Sequence, residues 1–71
     1  MDGCVLRNSL KVHRAIHNLT QAELAERAKV TRKSINAIET GNMVPSVLMA
    51  LKLALVLNAP VEELFRLEYV A

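Results

Sequence analysis

Between residues 29 and 42 the sequence concentrates side chains that donate hydrogen bonds and attract anions: Lys29, Arg32, Lys33, Ser34, Asn36, Thr40 and Asn42. A guanidinium, ammonium groups, hydroxyls and amides are suited to a polyanion or the polar edge of a ligand, not to bond breaking. The machinery of an enzyme is missing. No nucleophile beside a base, no pair of carboxylates and no glycine-rich phosphate loop can be assembled. The two glycines, Gly3 and Gly41, fit a flexible start and a helix cap. His13 and His17 lie four residues apart and could share a metal, but two ligands without a third do not make a site. His13 is expected half-buried against the core instead. Cys4 is the single cysteine, so it forms no disulfide within the chain. Neither a catalytic role nor a metal or cofactor is expected.

Net charge is only +2 over 71 residues, yet it is unevenly spread. Residues 1–45 carry +3 and residues 46–71 carry −1, and three basic groups fall within residues 29–33. A focused positive patch on a nearly neutral chain is what a site-specific phosphate binder needs. An ordinary solvated face would look similar, so charge alone does not decide.

The elements that must position these groups read as helices. A first helix is expected over about 8–17, outlined by Leu10 and His13 and ended by Asn18. Thr20-Gln-Ala-Glu23 is a capping box, with Leu19 and Leu24 placed as a hydrophobic staple, and it opens a helix ending at 28. Thr31 caps a third helix over about 31–40, which turns Ile35 and Ile38 inward and leaves Arg32, Lys33, Asn36 and Ala37 on another face. Ser46 caps a fourth helix to 57, Asn58-Ala-Pro60 breaks it, and a short fifth helix covers 61–65. Leu67 to Val70 alternate as a short strand does, and Cys4 to Leu6 more weakly, so a small antiparallel pair is expected. Residues 1–71 thus form one unit, an all-α five-helix domain with an optional two-stranded sheet.

Two short helices a few residues apart, the second polar and basic on its outer face, have the form of a major-groove reader. The run Leu19-Thr-Gln-Ala-Glu-Leu-Ala-Glu-Arg-Ala28, then Val30-Thr-Arg-Lys-Ser-Ile-Asn-Ala-Ile-Glu-Thr-Gly41, then Pro45-Ser46, resembles the phage repressor and Cro family of helix-turn-helix proteins. Within it the chain looks most like short single-domain bacterial regulators such as the cytolysin repressors, and the resemblance covers about residues 8–66. It implies sequence-specific binding of double-stranded DNA, most simply as a repressor. Arg32 and Lys33 then stand at the principal base-reading positions, with Asn36 and Ala37 one turn further on. Gln21 matches a glutamine that contacts a phosphate and steadies the recognition helix, and Ser34, Thr40 and Asn42 match backbone-contacting positions. Arg14 and Glu39 match a bracing ion pair whose arginine also reaches a phosphate. Two residues depart from the pattern. Lys29 stands where glycine is usual, so it must take a left-handed conformation at a cost of roughly 1 kcal/mol, and there it can meet a phosphate. His13 stands where a buried leucine is usual.

The fourth helix is apolar all round, more than one small core can cover. A homodimer is therefore expected, through Leu53, Val56, Leu57, Val61 and Leu64, and it would set two reading helices on successive major grooves about 34 Å apart. An antitoxin, which binds a toxin as well as its operator, is the alternative. Nothing in the first twenty residues reads as a signal peptide, and the apolar run from Val47 to Leu57 is interrupted by Lys52 and too short to span a bilayer. A cytoplasmic, nucleoid-associated protein is expected.

Overall fold

Each helix begins and ends for a local reason. The computed structural model describes residues 3–70 and orders them as β1 (Cys4–Asn8), α1 (Leu10–Ile16), α2 (Gln21–Ala28), α3 (Arg32–Glu39), α4 (Val47–Leu57), α5 (Val61–Leu64) and β2 (Phe65–Tyr69). The capping box at α2 is complete: Glu23 N donates to Thr20 Oγ1 at 3.0 Å and Thr20 N donates to Glu23 Oε1 at 2.9 Å. Hydrogen bonding to its carboxyl from Thr20, from the backbone first and then from the side chain, holds Glu23 below its ordinary range. Thr31 and Ser46 cap α3 and α4 in the same way, accepting from Ser34 N and Met49 N. Asn18, Lys29 and Asn58 close α1, α2 and α4 in the left-handed region, with φ of 55°, 59° and 49°. Asparagine tolerates that region, whereas lysine is strained there.

The helices close around Leu10, Leu24, Ile35, Ile38, Leu53, Leu57 and Leu64, all fully buried. Leu19, Ala25, Ala28, Ala50 and Phe65 complete the core. β1 and β2 pair antiparallel, Cys4 opposite Tyr69 through Asn8 opposite Phe65. The architecture is therefore mostly helical with a two-stranded sheet, rather than all-α.

Three expectations need correction. The strands run further toward the core than Cys4–Leu6 and Leu67–Val70: β1 continues to Asn8, and Phe65 opens β2 instead of ending α5. Consequently α1 starts at Leu10 instead of residue 8, because Asn8 belongs to the sheet and its Oδ1 accepts from Leu10 N at 3.2 Å. The third concerns association. Leu53, Leu57 and Leu64 are 0%, 1% and 0% exposed within a single chain, so they form its own core and present nothing to a partner. Val56 and Val61 are half-buried against that core. The surplus apolar surface lies on the opposite side of α4, where Leu48, Leu51 and Leu55 repeat at helical spacing and are exposed.

Lys29→Gly should relieve the left-handed strain and raise stability by about 0.5–1 kcal/mol, a gain of a few degrees in melting temperature. Thermal denaturation followed by circular dichroism checks this. An unchanged or lower melting temperature would show that the lysine side chain compensates for its backbone.

Candidate nucleic-acid interface

The polar face of α3 follows from the two isoleucines that anchor it. With Ile35 and Ile38 buried, Arg32, Lys33 and Asn36 are left exposed and Ala37 half-buried. Gln21, at the first position of α2, lies beside them, and the four polar residues line a shallow depression of about 390 Å³. Four of the residues expected to face DNA are thus together.

The angle of α3 is set from below. Arg14 on α1 grips Glu39 at the end of α3 with two parallel bonds, Nε to Oε2 at 2.8 Å and a terminal nitrogen to Oε1 at 3.2 Å. Its other terminal nitrogen donates to Leu19 O at 2.9 Å. The side chains are only 16% and 5% exposed, so bracing dominates this arginine's geometry. Burial pushes the Glu39 carboxyl upward, but hydrogen bonds from Arg14 and Gln21, with the charges of Arg14 and Lys11, outweigh it and hold the carboxyl below its usual value. Arg14 responds in kind. Its bond to Glu39 holds its pKa above the usual value against the opposing effect of burial.

A further link runs through Gln21, the residue that resemblance expects to steady α3. Gln21 Nε2 donates to Glu39 Oε1 at 3.0 Å and to Asn36 Oδ1 at 3.2 Å, tying the brace to the exposed face. Asn8 was missed: its Nδ2 donates to Ile38 O at 2.9 Å, so the sheet grips the last turn of α3. It was expected only as the first residue of the first helix.

The remaining expected contacts are more dispersed. The Ser34 hydroxyl oxygen accepts from Thr31 Oγ1 at 2.8 Å, and so takes part in the α3 cap. Thr40 Oγ1 donates back to Asn36 O at 3.0 Å and accepts from Asn42 Nδ2 at 3.2 Å. Lys29 is exposed at the turn between α2 and α3. Its carbonyl lies 3.5 Å from Lys52 Nζ, which brings a second ammonium to that turn. On α1, His13 is half-buried, and just past its end the His17 ring bonds to Leu57 O through Nε2 at 2.8 Å.

The sequence model of the helix-turn-helix family matches residues 10–64. This chain belongs to that family. It is 43% identical over 60 residues to an uncharacterised HTH-type transcriptional regulator of Methanocaldococcus jannaschii, covering 84% of this chain and 91% of the relative. It is 40% identical over 63 residues to the HTH-type transcriptional regulator YgzD of Bacillus subtilis, also uncharacterised, covering 89% of this chain and 96% of the relative. Among solved structures, the restriction-modification controller protein C.AhdI of Aeromonas hydrophila superposes with a TM-score of 0.73 at 30% identity, over 76% of this chain and 82% of that one. In this helix-turn-helix chain, α2 and α3 are the paired helices, with left-handed Lys29 at the turn. No helix among the described residues is long and apolar enough to cross a membrane.

Arg14→Ala and Glu39→Ala should each lower stability, and the double variant should lose less than the sum, with a coupling of about 0.5–3 kcal/mol in a double-mutant cycle. Additive losses would mean that the two do not interact in solution. The same pair makes a pH prediction. Because Glu39 titrates lower in the folded chain than its ordinary 4.5, its stabilisation is complete above that value and is lost as pH falls below it. The stability gap between the wild type and Glu39→Gln should therefore be widest near neutrality and narrow below pH 4.5 in urea unfolding. A gap that does not change with pH would contradict the assignment.

Proposed function

We propose that the protein is a sequence-specific transcriptional regulator that binds a palindromic double-stranded DNA operator as a homodimer and represses transcription. One observation carries the reading: Arg32, Lys33 and Asn36 stand exposed together on α3, beside Gln21, on a helix whose angle is held by a nearly buried ion pair. The arginine and lysine have the geometry to donate to guanine O6 and N7, and Ala37 to meet a thymine methyl. Lys29, Ser34, Thr40, Asn42 and Arg14 are assigned to the phosphate backbone, where contacts position the protein without reading sequence. The regulators among its relatives support this role, as does the controller protein that shares its fold.

Dimerisation is assigned to the outer face of α4. Leu48, Leu51 and Leu55 are 66%, 55% and 83% exposed, and Leu51 and Leu55 border a depression of about 370 Å³ that reaches Pro60. Covering such a stripe removes apolar area worth about 25 cal/mol per Å². Sedimentation should show a dimer at tens of micromolar, roughly the range in which a small apolar interface saturates, and Leu51→Asp with Leu55→Asp should turn it into a folded monomer. A monomeric wild type would remove this assignment.

Base reading and phosphate binding are separable. Arg32→Ala or Lys33→Ala should cost about 1–3 kcal/mol on the operator and much less on scrambled duplex. Lys29→Ala should weaken both duplexes alike and lower the salt slope by about one. The operator is first found by footprinting upstream of the protein's own gene. If Arg32→Ala and Lys33→Ala weaken both duplexes equally, they hold backbone and read nothing.

A further inference from the structure

Asn8 ends β1 half-buried, and both ends of its side-chain amide are engaged. Leu10 N only donates, so the Asn8 atom 3.2 Å from it is Oδ1. Ile38 O only accepts, so the atom 2.9 Å from it is Nδ2. A reversed amide would set two donors together at α1 and two acceptors together at α3. The residue is itself fixed in place. β1 pairs it with the buried Phe65, and Ser9 N continues the ladder to Leu64 O at 2.9 Å. Its grip on α3 differs in kind from the others. Arg14 and Gln21 hold that helix through the Glu39 side chain, which can turn about its own bonds. Among the described residues, with the caps Thr31 and Thr40 set aside, Ile38 O is the one α3 backbone atom that a side chain bonds.

We propose that Asn8 is a positioning residue for base reading: it fixes the C-terminal end of α3 and so makes the sheet part of the reading apparatus. Arg32 opens α3 six residues before Ile38, about 9 Å along the axis at roughly 1.5 Å per residue. A swing of about 10° around that tether carries the start of α3 by roughly 1.5 Å, beyond the tolerance of about 0.5 Å within which a preorganised contact is held. The carbonyls of the last turn form the negative end of the helix dipole, so a donor there is attracted and a carboxylate repelled. Aspartate in place of Asn8 keeps an acceptor for Leu10 N but sets a second acceptor against Ile38 O. Alanine removes both bonds and leaves α3 untethered but unopposed. Reading therefore suffers more from Asn8→Asp than from Asn8→Ala, although aspartate is closer in shape and carries the better charge for the start of α1. This proposal rests on the DNA-reading function proposed above.

The test compares wild type, Asn8→Ala, Asn8→Asp and Met49→Ala, the last a control that trims packing of α4 against the core and leaves the tether alone. An operator is selected by the wild type from randomised duplex DNA, and the melting temperature of each protein is measured. Affinities for the operator and a scrambled duplex are then read well below all four melting temperatures. For Asn8→Asp the ratio of operator to scrambled affinity should fall about tenfold, the scale of one base contact. Asn8→Ala should lose less, and Met49→Ala should melt earlier yet keep the full ratio. Full ratios in both Asn8 variants would overturn the proposal, as would a ratio that follows melting temperature through all four proteins. A larger loss in Asn8→Ala than in Asn8→Asp would place the effect at Leu10 N and overturn it as well. If neither Asn8 variant folds even in the cold, Asn8 serves folding alone and the proposal falls. A wild type that selects no sequence at all would instead refute the DNA-reading function itself.

Discussion

A carboxylate removed from water must be answered by donors, and in this protein the donors that answer Glu39 come from two other helices. Arg14 reaches it from α1, Gln21 from the start of α2, and Glu39 itself closes α3. Arg14 also holds the carbonyl of Leu19, the residue just before the α2 cap. One charged cluster therefore fixes all three N-terminal helices relative to one another. Burying such a pair is seldom a net source of stability, because desolvation offsets much of the attraction. Its value here is geometric. It sets the angle at which α3 leaves the core, and that angle decides where Arg32 and Lys33 point.

Apolar packing fixes the same helix from the other side. Ile35 and Ile38 seat α3 in the core beside Leu24 and Leu53, and Asn8 adds a bond from the sheet to its last turn. The exposed residues of α3 thus sit on a support held at both ends. That suits a surface whose donors must meet a ligand without rearrangement, since ordering mobile side chains on binding costs affinity. The left-handed turn at Lys29 is the one strained point in this support. It keeps α2 and α3 close, and it places a cation, with Lys52 behind it, at the entrance to the polar face.

Much of this was legible in the residues. Thr20 with Glu23, Thr31 and Ser46 marked three helix starts because caps act through local hydrogen bonds that one residue type can reveal. Arg14 and Glu39 were paired through family resemblance, which carries long-range contacts that spacing alone does not. The sheet was only partly visible. In β1 Val5-Leu6 and Arg7-Asn8 give no alternation, so Asn8 fell within the expected first helix. Phe65 fell at the end of the expected fifth, although Phe65-Arg66-Leu67-Glu68-Tyr69 alternates without a break. The buried face of α4 was not legible at all, because a helix apolar on every side gives no period from which to choose. Leu53 and Leu57, expected at the interface, turn inward, and Leu51 and Leu55 turn out. Asn36 is exposed on the outer face of α3, as its spacing from Ile35 and Ile38 implies, but its bond to Gln21 depends on the separation of two helices and has no local signature.

The central claim is that the ion pair governs reading rather than mere folding. It is tested most directly by the ratio of operator to scrambled-duplex affinity for Glu39→Gln, measured well below the melting temperature of that variant. The account predicts that this ratio falls about tenfold, on the order of 1.4 kcal/mol, while affinity for scrambled duplex stays near that of the wild type. A Glu39→Gln protein that melts earlier yet keeps the full ratio would contradict it, leaving the pair a structural brace with no part in recognition.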